Sequence, residues 1–418
     1  MKNLAKISVM AMLAMSVVAT SCNNDDEGTT PSTPSTGTVA KSGHITANET
    51  WTANNIYTLN GKVVVDAGVT LTIEPGTIVK GMTGQGTEAS ALVVARDAKI
   101  NAVGDANNPI IFTSALDDIT VGQKFGTNLA KEDNQLWGGV VILGNAPISA
   151  KNGDDVSNIE GIPADENYGQ YGGNNAADNS GSLAYVSIRH GGILIGEDNE
   201  LNGLTLGGVG TGTSISNIEI YATYDDGVEF FGGTVNVTNL LVFYQGDDGI
   251  DIDQNYSGTV SNFAVIHGDG IGTDEGLEID GPEGTLKDGL FTLSNGICMT
   301  EGTEGTPADF KSRAQGYVNN VTFTYPTATP VKIHTAFDGS CNHEEDAYSH
   351  LAIVSPASLV FADSKIESVI VEDDNETTCD LSNAQSTAEN LVVMNGAGAS
   401  IVPGSVFSWS CAGLRNQL

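Results

Sequence analysis

The sequence predicts an all-β chain wound as a solenoid, and three observations carry that prediction. Glycine is abundant, 51 of 418 residues, and Thr, Asn, Val and Ile are frequent, so short strands are punctuated by tight turns. Three segments superimpose: Ser216-Asn-Ile-Glu-Ile-Tyr221, Thr238-Asn-Leu-Leu-Val-Phe243 and Ser261-Asn-Phe-Ala-Val-Ile266, with Asn217, Asn239 and Asn262 spaced by 22 and 23 residues. Each runs into a second short strand, Asp226-Gly-Val-Glu-Phe230, Asp248-Gly-Ile-Asp-Ile252 and Glu275-Gly-Leu-Glu-Ile279. One such unit cannot bury its own apolar residues, whereas stacked units can.

Along the chain, residues 1–21 combine Lys2 and Lys6 with an apolar run from Ile7 to Ala19, too short for a spanning helix and built like a secretory leader. Residues 22–43 read as a tether, acidic at Asp25-Asp26-Glu27 and then rich in Thr, Ser and Pro. From 44 the short strands begin: Val63–Val65, Leu71–Ile73, Thr77–Val79, Leu92–Val94 and Ile110–Phe112, split by Ala-Gly, Pro-Gly and Asn-Pro turns. Residues 114–182 break the period with Gly/Asn/Asp-rich loops around one clear coil at 137–148. Loops this long on a regular scaffold are either functional or merely disordered. Lys287-Asp288-Gly289 and Asn319-Asn320-Val321 read as later, looser repeats, and from about 290 the chain is less regular and holds four of its five cysteines.

Stacking makes Val228/Ile250/Leu277 and Phe230/Ile252/Ile279 inward columns, and the asparagines a ladder of side-chain amides at a turn. Alternation then turns Glu229, Asp251 and Glu278 outward as an exposed column, with Asp253 and Asp280 beside it. Carboxylates stacked about 5 Å apart repel, and a hard cation with oxygen ligands, calcium above all, relieves that. The opposing expectation is a hydrated acidic face screened by salt.

With 52 Asp+Glu against 17 Lys+Arg the chain carries −35, so nucleic acid and other polyanions are disfavoured partners. In an oxidising compartment, one or two disulfides are expected among Cys298, Cys341, Cys379 and Cys411, with three possible pairings. Cys341-x-His343, with His350 nearby, is a weak metal signal. Arg189 is expected to neutralise an acid such as Glu219. His190, Tyr244 and His267 share a column, and Tyr221, Tyr224, Tyr244 and Tyr256 offer rings for stacking on a sugar.

Several phrases carry a family resemblance: Leu71-Thr-Ile-Glu-Pro-Gly-Thr, Trp137-Gly-Gly-Val-Val-Ile-Leu-Gly-Asn-Ala-Pro, Val186-Ser-Ile-Arg-His-Gly-Gly and Asp226-Gly-Val-Glu-Phe-Phe-Gly-Gly. Residues 44–112 and 183–280 resemble the right-handed parallel β-helix of the pectin-lyase-like superfamily, and more narrowly β-helix lipoproteins of Bacteroidota. Ala19-Thr20-Ser21-Cys22 resembles a lipobox, although Ala19 stands where Leu is usual, and implies acylation of Cys22. The acidic run after it resembles the signal that sends such lipoproteins to the outer face of the outer membrane.

What this implies is a lipid-anchored, outward-facing binding platform for an extracellular ligand, with a glycan as one candidate. A TonB-dependent outer-membrane transporter is the partner implied by analogy. The competing expectations are an adhesin or structural surface protein and a glycan-degrading enzyme. For the enzyme, Tyr224-Asp225-Asp226-Gly227 and Gly246-Asp247-Asp248-Gly249 resemble the polygalacturonase acids, making Asp225, Asp226, Asp247 and Asp248 the catalytic candidates. His267-Gly268-Asp269-Gly270 departs from the Gly-His-Gly of that family, and no Arg-x-Lys follows.

Overall fold

The computed structural model describes residues 37–84, 86–153, 155–196, 199–325 and 329–418; the leader, Cys22 and the acidic run lie outside the described residues. The described residues form one compact unit. Its strands wind into a right-handed parallel β-helix with three faces.

Along face A, Ala91–Val94, Val140–Leu143, Leu204–Gly207, Val228–Phe231, Ile250–Asp253, Leu277–Ile279, Asp309–Phe310, Val331–Thr335 and Val369–Asp373 stack in that order, all parallel. Faces B and C are shared by longer strands: Gly181–Arg189, Ser214–Tyr221, Asn236–Phe243, Thr259–His267, Phe291–Thr300 and Gly316–Thr324. The inward columns expected from alternation are present. Val228, Ile250 and Leu277 are in register and fully buried, as are Phe230, Ile252 and Ile279. Burying each such side chain favours the wound state by about 1.5–3 kcal/mol.

Each long strand turns its corner at a residue with positive φ: Tyr185, Asn217, Asn239, Asn262, Asn295 and Asn320. Asparagine tolerates this conformation better than other non-glycine residues, and its amide then links coils. Asn239 Nδ2 donates to Asn217 Oδ1 at 3.0 Å, Asn262 to Asn239 at 3.2 Å and Asn295 to Asn262 at 2.7 Å. The rung after Asn262 is therefore Asn295, and Lys287-Asp288-Gly289 is not a repeat: it lies in the connection before Phe291–Thr300. Asn239→Ala should lower stability by about 2 kcal/mol, from the left-handed corner and the lost amide bonds together. Asn239→Gly should cost less, because glycine adopts the corner freely. Equal shifts of the urea midpoint for the two variants would show that corner strain contributes nothing.

The Asp-Gly pairs entering face A have a steric cause. A Cβ on Gly227 would lie 2.5 Å from Gly249 O, and one on Gly249 would lie 2.6 Å from Gly276 O, so only glycine permits that stacking distance.

The insertion segments around Ile159 and Leu201 lie on the outer side of face A, whereas Ile119 packs on Ile78 and Ile111 and Phe125 packs on the cluster of Tyr221 and Phe243. Val64, Val93 and Val141 point outward yet are buried, packed under Ile148, Ile159, Ile162, Tyr171 and Leu201. That is why 63–65, 91–94 and 140–143 read as unbroken apolar runs rather than alternating ones. At the far end, helices Ala347–Ala352 and Ser382–Val392 bury Leu351, Ala384, Ala388 and Val392 in the main core. Cys341 and Cys379 form a disulfide there, whereas Cys298 and Cys411 are buried free thiols. The final residues double back along the outer side of the long strands, where Ile401, Phe407 and Cys411 pack on Tyr221, Phe243 and Ile266. Among the described residues no helix is long and apolar enough to cross a membrane.

Candidate cation-binding wall

The outward side of face A changes character coil by coil. In register, one column runs Val141, Thr205, Glu229, Asp251, Glu278, Asp309, Lys332. Asp253 and Asp280 flank it, and the turns entering the strands add Asp225-Asp226, Asp247-Asp248 and Asp274-Glu275. The column is acidic in its middle and basic at its end.

The exposed acidic face expected from alternation is corrected by the structure. Glu229 and Asp251 do point away from the coil interior, but each is only 7% exposed, because the insertion carrying Glu160 and the segment ending at Asn202 close over them. Asn202 Nδ2 donates to Glu229, and Glu160 shares hydrogen bonds with Glu229 and Asn202. Glu278, Asp253 and Asp280 are half-buried. Alternation specifies which side of a strand a residue takes, not whether another segment covers that side.

The acids suggested for catalysis are similarly placed. Asp225, Asp226 and Asp248 are buried and only Asp247 is exposed. Asp226 Oδ1 accepts the Asp248 N–H at 3.0 Å, and Asp248 Oδ1 accepts the Glu275 N–H at 2.6 Å. These two carboxylates stitch consecutive coils together.

Electrostatics divide the wall in two. At its C-terminal end Lys311 bonds Glu278 and lies 3.9 Å from Asp280, while Lys332 lies 2.6 Å from Glu275 and 3.5 Å from Asp309. Burial would lower the imidazolium pKa of His334, but Asp309 and Asp374 outweigh it and raise it to about 9. The middle has no such help. None of Asp225, Asp226, Glu229, Asp247, Asp248, Asp251 and Asp253 lies in an ion pair among the described residues. Burial and then the charge of Asp247 push Asp225 up to about 8, and burial with the charge of Glu200 pushes Glu160 up to about 7. Asp226, Glu229, Asp248 and Asp251 are held well above the ordinary carboxylate range, by burial first and then by neighbouring carboxylates: Asp225 for Asp226, Glu160 for Glu229, Asp226 for Asp248 and Asp253 for Asp251.

A family model for a pectate-lyase-like β-helix domain matches residues 43–410. The chain belongs to that family. No curated protein and no solved structure matches this β-helix.

Other sequence candidates are dispersed. Tyr221, Tyr244 and Tyr256 are buried and unavailable for stacking on a ligand: Tyr221 stacks on Phe243, and Tyr256 donates to Val235 O at 2.6 Å. Tyr224 alone of the four is exposed, at 38%. Arg189 lies 3.9 Å from Glu219 with Ser187 bonded to both, all three fully buried. His190 is buried against Asp133 O, and burial lowers its pKa to about 4. His267 is held by Thr273 and Tyr325. The Cys341/His343/His350 metal signal dissolves: Cys341 is a disulfide sulfur, His343 bonds Thr335, and His350 bonds Ala314 O.

Proposed function

We propose that this β-helix is a surface-displayed lipoprotein, acylated at Cys22 on the outer membrane, acting as a non-catalytic binding platform for an extracellular ligand. The observation that carries the reading is a groove built by the insertion against the early coils. Asp165–Gln170 face Asp66–Ala67 and Ala95–Asp97 across an open cavity of about 630 Å³, with His44 at its rim. That volume suits a small ligand or a few sugar units. Its walls are pre-set: Arg96 donates to Gly172 O and Gln170 Oε1, His44 bonds Asp66 at 2.6 Å, and the Tyr168 ring meets His44 edge-on. A half-exposed aromatic ring beside fixed polar groups suits a neutral glycan, which can stack and hydrogen-bond together. The use of Asp226 and Asp248 as coil stitches favours binding over hydrolysis. An outer-membrane transporter of the TonB-dependent kind is the partner this role calls for.

A screen of neutral and acidic oligosaccharides against the full-length protein tests the reading. Tyr168→Ala should weaken binding of any hit about tenfold, near 1.4 kcal/mol, while the protein stays folded with a modestly lower melting temperature. Turnover of a bound glycan would favour the enzyme instead. Cys22→Ala should release the protein from the membrane, and retention of that variant would refute the anchor.

A further inference from the structure

We propose that Asp226, Glu229 and Asp251 bind one calcium ion in a closed site beneath the insertion, bridging two successive coils. The inference does not depend on the platform reading and differs from the solvent-exposed column the sequence suggests.

Four triads of acidic oxygens lie close enough to share an ion, their atoms within 4.8 Å of one another: Asp225/Asp226/Asp247, Asp226/Glu229/Asp251, Asp248/Glu275/Glu278 and Asp251/Glu278/Asp280. Two of them already hold cations of the protein's own. Lys332 and Lys311 serve Asp248/Glu275/Glu278, and Lys311 serves Asp251/Glu278/Asp280. The first triad opens to water at Asp247, which is exposed and can stay hydrated. Only Asp226/Glu229/Asp251 is at once closed, with all three residues buried, and free of a lysine, arginine or histidine partner among the described residues.

The second observation is an orphan oxygen. Asp251 is more than nine-tenths buried, and its Oδ1 has no hydrogen-bond partner. A buried carboxylate oxygen left unmatched costs free energy, and native structures rarely tolerate it without a bound group. Asn202 repeats the pattern: its Nδ2 donates to Glu229 while its own Oδ1 is buried and unpartnered. Asp226 spends Oδ1 on the Asp248 N–H and keeps Oδ2 for a ligand.

The donor set selects the ion. With oxygen alone and neither imidazole nor thiolate in the triad, zinc and copper are poor matches. Magnesium demands near-ideal octahedral geometry and keeps several waters, which a closed cage does not accommodate. Calcium sheds water readily and accepts irregular carboxylate geometry.

Full-length protein, stripped with chelator and exchanged into metal-free buffer, should take up calcium by titration calorimetry and show the bound ion in native mass spectrometry. Magnesium should bind at least about tenfold more weakly. Calcium should raise the melting temperature beyond ionic-strength-matched sodium. Asp251→Asn should weaken calcium binding at least about tenfold, whereas Asp280→Asn, whose partner is Lys311, should change it by less than about twofold. Equal melts in calcium and sodium, absence of the ion in the mass spectrum, or equal loss in the two variants would each overturn the proposal. Should Asp251→Asn fail to fold, wild-type uptake and its ion selectivity still decide.

Discussion

Replacing Glu219 by alanine should destabilise the fold by about 3–5 kcal/mol, the range for breaking a buried ion pair from one side. Glu219 is fully buried at the centre of a polar knot. Its Oε2 accepts from Ser187 Oγ and from the Cys411 N–H at 2.8 Å, its Oε1 accepts from the Ala412 N–H at 2.9 Å, and the Arg189 guanidinium lies 3.9 Å away. Alanine would strand a buried cation and two backbone donors at once. Glu219→Gln, which keeps an acceptor, should cost less. The signature that separates this from general loosening is local. Cys411 is buried, and burial pushes its thiol up to about 11, so it should resist alkylation in the native protein. In Glu219→Ala the C-terminal segment loses its anchor, and Cys411 should label while the interior Cys298 stays protected. A Cys411 that remains unreactive in that variant would show that the segment is held elsewhere.

Reduction of the Cys341–Cys379 disulfide should lower the stability of the C-terminal cap by about 4 kcal/mol in the chain-entropy account of a loop of this length. The two cysteines are 38 residues apart, and the loop they close contains Ala347–Ala352 and the last strands of the helix. Unfolding in guanidinium with and without reductant measures it directly. The first protease cuts in the reduced protein should fall between 336 and 381. An unchanged midpoint on reduction would mean that the crosslink and the packing of the two helices are redundant.

How much of this was legible in the sequence depends on what sets each feature. The solenoid, the inward columns and the asparagine ladder were legible because each repeats a local requirement: an apolar pair, a left-handed corner, a glycine at a close approach. Asn295 escaped because the connection after Ile279 stretches the interval to 33 residues, although Ser294-Asn295 repeats the earlier phrase. Cys298 carried a signal that was missed. It stands in register with Val265 and Phe323, and the alternation Gly296-Ile-Cys-Met turns it inward, away from any disulfide partner. The coverage of the acidic wall was not legible, since Glu160 and Asn202 reach it from segments outside the repeat. Lys311 and Lys332 were findable, because the register of Ile279 with Phe310 and then Ile333 sets Lys311 beside Asp280, and Asp309 beside Lys332. The groove beside Tyr168 had no sequence signature, being made by a loop meeting coils about 70 to 120 positions earlier.

The returning C-terminal segment changes how such a molecule comes apart. A solenoid whose coils touch only their neighbours can fray from one end, losing a coil at a time. Here the last residues bind Thr322 and Asn295, then Glu219 and Tyr221, and finally Leu129 and Gly126 through Arg415. Those attachments lie on coils far apart along the axis. Opening the terminal coil therefore strains contacts at the middle, and unwinding meets one shared barrier rather than a staircase of small ones. The tail converts a linear stack into a closed circuit of interactions.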